Sequence, residues 1–148
     1  MKHLVLFLLL TIFSIPVFAQ FPLGSNMKDI KAYFDKKVPY ASAQVFKVED
    51  GTRAICFTKV RVVGDYTFYF DINGTCTSYV VTYDEKDLPA LTKVFDANYC
   101  KLNDTRWTTE DNSYEIKLIR PKNGENFISL VYKPLRGNSY ASMAIASN

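Results

Sequence analysis

The strongest constraint on this chain is a pair of alternating segments joined at Asn73-Gly74. Over residues 65–83 large apolar side chains fall on every second position, the period of a β-strand rather than a helix. Asn-Gly between two such runs signals a hairpin, because both residues accept a positive φ. Folding 65–72 back on 75–83 puts Tyr66, Phe68, Phe70 and Ile72 on one face with Tyr79, Val81 and Tyr83. The opposite face then carries Asp65, Thr67, Tyr69, Asp71, Cys76, Ser78 and Thr82. One apolar and one polar face describes an antiparallel sheet covered on one side only.

Two more hairpins follow the same logic. Segments 44–49 and 52–59 flank Asp50-Gly51, which pairs Phe46 and Val48 with the face of Ile55 and Phe57. Segments 105–110 and 113–120 flank Asp111-Asn112, and a strand over 126–133 follows the loop 121–124. Helical spacing occurs twice. Met27, Ile30, Phe34 and Val38, widened by Tyr33, predict a helix over 26–37 capped by Ser25 and stopped by Pro39. Leu88, Leu91, Val94 and Phe95 predict a second helix capped by Asp87, with Pro89 tolerated in its first turn.

The halves align without a gap at an offset of 61 residues: Phe34-Asp35 on Phe95-Asp96, Glu49-Asp50 on Glu110-Asp111, Ile55 on Ile116. Phe46 falls on Trp107, Phe57 on Leu118 and Tyr66 on Phe127. The expected fold is therefore α+β: a two-layer domain with an antiparallel sheet of about seven strands and two helices on one face. The repeat units are 25–83, with four strands, and 87–133, with three. This helix-then-meander duplication resembles the small exported domains of the β-lactamase-inhibitor-protein and BamE-like kind. The resemblance is topological, has no sequence motif behind it and transfers no functional residue. BamE-like proteins are lipid-anchored, whereas this chain has no cysteine at its expected processing point.

Residues 1–19 read as a secretory signal peptide: Lys2, an apolar run over 4–15, Pro16, then Val17-Phe18-Ala19. The run is too short for roughly 30 Å of hydrocarbon. Cleavage after Ala19 leaves an exported, periplasmic or secreted domain over 20–133 and a mobile tail over 134–148, with an edge strand near 140–145. The sole histidine, His3, would be lost, which removes Ser-His, Cys-His and His-metal chemistry. Lys and Arg number 18 against 15 Asp and Glu, too small an excess for a dedicated nucleic-acid binder.

Asp65, Asp71, Glu110 and Asp111 form no acid–base pair in this scheme. Asp111 serves a turn, and Asp65 and Asp71 stand roughly 20 Å apart along one strand. Neither a metal nor a cofactor is expected, nor catalysis. The expected role is a binding or inhibitor-like domain that meets another protein or a cell-envelope component on the polar sheet face, through Tyr69, Thr67, Ser78, Lys47 and Arg53. The alternatives are an envelope assembly accessory that binds through an edge strand, and a small histidine-free hydrolase. Asn73 and Asn103 head glycosylation sequons that matter only in a eukaryotic secretory route. For the cysteines, a Cys76–Cys100 disulfide ranks first, no disulfide second and Cys56–Cys76 third.

Overall fold

The computed structural model describes residues 22–58, 64–121 and 125–135. The segment 1–19 with His3, and the tail beyond residue 135, lie outside the described residues. The order is α1 (Met27–Lys37), β1 (Ser42–Lys47), β2 (Arg53–Thr58), β3 (Tyr66–Phe70), β4 (Cys76–Asp84), a 3-10 turn (Glu85–Asp87), α2 (Leu88–Asn98), β5 (Cys100–Asn103), β6 (Arg106–Thr108), β7 (Tyr114–Ile119) and β8 (Phe127–Pro134). All eight strands form one antiparallel sheet, ordered β1-β2-β3-β4-β8-β7-β6-β5. The fold is α+β, with one strand more than expected. The added strand, β5, has only four residues, too few to show alternation in the sequence.

A side chain satisfies an orphan amide at the start of α1 and at the start of the turn that leads into α2. The cap of α1 is Asn26, not Ser25: its side-chain oxygen accepts the Asp29 N–H at 2.9 Å. Ahead of α2 the turn is capped by Asp84, which accepts from the Lys86 N–H, while Asp87 makes no side-chain cap bond. Phe34 of α1 stacks on Phe57 at 4.1 Å and meets Tyr66 and Phe68 edge-on. Phe95 of α2 packs on Trp107, whose indole N–H donates to the Asp96 Oδ1 at 2.7 Å. Between the helices, at the seam of β4 and β8, Tyr79 and Tyr132 stack at 4.3 Å.

The turns decide which side chains enter this core. At Asp50-Gly51 the turn has three residues rather than two. Val48 N–H donates to the Thr52 carbonyl, Gly51 N–H donates to the Val48 carbonyl, and Gly51 sits at φ 85°. The extra residue slips the register by one, and a one-residue slip turns every side chain over. Val45 therefore stands opposite Ile55, and Phe46 stands opposite Ala54 on the other face, 42% exposed. The second hairpin makes the same three-residue turn, with Gly74 at φ 80° and an Asp71–Thr75 bond. There a β-bulge at Thr77 restores the phase: Phe70 pairs with Cys76, but Tyr69 pairs with Ser78. Tyr79 and Val81 reach the core as expected, Cys76 is turned into it, and Ile72 is left 91% exposed in the turn. In the third hairpin, four residues lie between Thr109 and Tyr114, with Asn112 at φ 53°, and Trp107 keeps its expected place opposite Ile116.

Along the chain α1 and α2 start 88 − 27 = 61 residues apart, and β2 and β7 start 114 − 53 = 61 apart. The different turn lengths nevertheless put Phe46 and Trp107, aligned at that offset, on opposite faces.

The expected Cys76–Cys100 disulfide is absent, and all three cysteines are free thiols. Helix α2 does carry the chain back toward the level of Cys76, but it also crosses the sheet to the far edge. Four strand steps, roughly 19 Å, separate β4 from β5. Cys56 points to the opposite face from Cys76, which excludes that pair as well.

Candidate functional site

Both helices lie on one side of the sheet, and among the described residues no helix or strand packs on its other face, the broad surface from which a site can be built. The register gives its rows. One runs Phe46, Ala54, Tyr69, Ser78 across β1 to β4. The next runs Gln44, Cys56, Thr67, Val80, Val131, Lys117, Arg106 across β1 to β4 and on through β8, β7 and β6. Three of the five expected residues, Tyr69, Thr67 and Ser78, stand together on this face, half-buried among their neighbours. Among the described residues none exchanges a hydrogen bond with their side-chain hydroxyls, so these are available to a ligand.

Lys47 and Arg53 are not with them. They stand opposite each other, exposed, on the helix side of the sheet at its edge. For Lys47 the cause is again the three-residue turn at Gly51, which reverses the facing of β1. Arg53 shares the phase of Ile55, whose side chain points to the helices.

The second half of the uncovered face carries a charged cluster not anticipated from the sequence. Arg106 forks onto Glu115, with Nε 3.2 Å from Oε1 and Nη2 2.8 Å from Oε2. Lys133 stands opposite Glu115, and Lys117 opposite Arg106. The Arg106 fork holds the Glu115 carboxyl below the usual glutamate range, with Lys133 and Lys117 adding to the effect. Glu115 is 3% exposed, so its charge is spent inside the cluster, whereas Lys117 and Lys133 reach into solvent. A signal was present: Glu115 and Lys117 alternate with Tyr114, Ile116 and Leu118 at a period of two, which marks them as partners on one face.

The face is thus polarised. On β1 to β3 it carries no charge and offers Phe46, Tyr69 and hydroxyl groups. On β6 to β8 it carries three cations around one shielded carboxylate. Two of the carboxylates weighed from the sequence serve turns. Asp71 accepts the Asn73 and Thr75 N–H groups, and Asp111 accepts that of Ser113, at 2.9 to 3.0 Å. Among the described residues no three His, Cys, Asp or Glu side chains gather where they could hold a metal ion. Likewise, no described helix is long and apolar enough to cross a membrane. Comparison with family models, with curated proteins and with solved structures gave no match.

Proposed function

We propose that the chain is a non-enzymatic binding domain of an exported protein, and that it holds a partner protein against the uncovered sheet face. The observation that carries this reading is the polarity of that face. Tyr69 and Phe46 supply contact area, with unengaged hydroxyls beside them, and Arg106, Lys117 and Lys133 supply positive charge one sheet-half away. Tyrosine and arginine are the residue types that dominate interface energetics, and an aromatic patch beside a charged one fixes orientation as well as affinity. The partner surface that fits is apolar at one end and acidic at the other.

The test uses the full chain as bait against an envelope extract, beside a variant carrying Tyr69→Ala, Lys117→Gln and Lys133→Gln. All three positions lie on the uncovered face, so the variant should fold. The captured partner should be lost with the variant, and its hydrogen-exchange footprint should fall on β3, β4, β7 and β8. Undiminished capture, or a footprint on α1 and α2, overturns the reading, as does turnover in a hydrolase screen.

A further inference from the structure

The sheet has two edges, and they are built differently. The β5 edge is four residues long, with a register shift between Lys101 and Asn103. A short, irregular edge is a poor template for another strand. The β1 edge is six residues long, pairs with β2 without a break, and is exposed at every position. It has no proline, no bulge and no charge from Ser42 to Phe46.

Its free backbone groups follow from the hairpin. Val48 N–H bonds to the Thr52 carbonyl, and in an antiparallel ladder such bonded pairs alternate. Phe46, Gln44 and Ser42 therefore bond to β2, while Ala43, Val45 and Lys47 turn their N–H and C=O groups outward. The side chains at the same edge add chemistry. Val45 is 57% exposed, because α1 reaches Phe57 and Phe68 but does not cover β1. Beside it, Lys47 stands directly opposite Arg53. Like charges at directly opposed positions destabilise a sheet. Among the described residues neither cation has an ion-pair partner. The pair calls for a carboxylate from outside the chain.

We infer that β1 accepts an extended, acidic segment of a partner protein as a ninth, antiparallel strand, with a carboxylate opposite Lys47 and apolar side chains opposite Val45 and Ala43. Main-chain bonds to the three outward residues hold the strand. The row from carboxylate to Lys47 to Arg53 sets its register and direction. Burial of Val45 beneath the added strand excludes water from one side. The edge uses the outward main chain and the helix-side side chains Val45 and Lys47, whereas the uncovered face takes Phe46 from the same strand, so either site can fail without the other.

The probe is the acetylated, amidated peptide Thr-Glu-Thr-Val-Thr-Val-Thr, titrated into the full chain and followed by amide NMR. Two companions have Lys in place of Glu, or N-methyl groups on alternate main-chain nitrogens. The first peptide should bind saturably, with shifts concentrated at Ala43, Val45 and Lys47. The Lys peptide should bind roughly three- to tenfold more weakly, the effect two exposed ion pairs support. N-methylation should abolish binding. In a folded Lys47→Glu, Arg53→Glu variant the charge preference should reverse. Absence of saturable binding up to about 1 mM overturns the proposal. So do shifts outside β1, or indifference to N-methylation or charge. Dilution-dependent mass of the chain alone, with β1 amides protected, also overturns it, since the occupant would then be a second copy.

Discussion

Trp107→Ala and Phe46→Ala should differ sharply in cost, although the two residues stand one 61-residue offset apart. Trp107 is 1% exposed and packs against Phe95, and its N–H is bonded to Asp96. A buried tryptophan withdraws roughly 200 Å² from water, about 5 kcal/mol at 25 cal/mol per Å², and large-to-alanine changes in cores measure about 3–5 kcal/mol. Phe46 is 42% exposed on the uncovered face at the edge of the sheet. Full burial of phenylalanine is worth about 2–3 kcal/mol, so the part withdrawn here is worth about 1–1.5 kcal/mol, and water fills the space left behind. The gap between the two variants should be about 1.5–4 kcal/mol. Urea unfolding followed by far-UV circular dichroism measures it, since Trp107 is the sole tryptophan and its fluorescence is lost in one variant. Equal costs would place Phe46 in the core. The two-residue turn at Asp50-Gly51 would then be right, and the derived facing of β1 wrong.

Gly64→Ala should destabilise by about 2–3 kcal/mol, because the new Cβ would collide with the carbonyl of Thr82, backbone of the paired strand β4. Gly51→Ala, at φ 85° with open space around it, should cost only about 1 kcal/mol, and urea unfolding that reverses this order refutes both arguments. Native-state alkylation read by peptide mass should modify exposed Cys100 first, half-buried Cys56 next and Cys76 last, since burial pushes the Cys76 thiol up to about 12. Non-reduced mass mapping should find no linked pair among these peptides. Above pH 10 the fold should weaken. Burial raises Tyr66 to about 12 and keeps Tyr79, Tyr83, Tyr114 and Tyr132 above their ordinary value of 10. The folded chain then binds more protons than the unfolded one, so stability present below about pH 10 is lost as pH rises toward 12. Tyrosinate absorbance and unfolding should coincide, and a flat stability profile across that range would refute the burial of this cluster.

The sequence by itself determined the elements and the layer arrangement. Two 3.6-period stripes and alternating runs divided by Asp-Gly, Asn-Gly and Asp-Asn leave few solutions other than two helices on one face of an antiparallel sheet. It also determined most of the core, because Ile55, Phe68, Val81, Ile116 and Leu130 alternate within their own strands whatever their neighbours do. Tertiary structure decided the facing between strands and the lateral order of the sheet. Facing is a matter of one residue. A three-residue turn at Gly51 moved Lys47 off the polar face and put Phe46 on it, while the same turn at Gly74 was corrected by a bulge at Thr77 that no local pattern announces. Arg53 follows the period of its own strand, two residues before Ile55, and so faces the helices whatever the turn. Lateral order needs pairing energy summed over distant strands. The β4–β8 seam placed β5 at the far edge and separated Cys100 from Cys76, while the registers of β6, β7 and β8 gathered Arg106, Glu115, Lys117 and Lys133 from three strands into one cluster. Periodicity is a property of a segment, whereas register and strand order are properties of segments in contact, and only the folded chain brings those into contact.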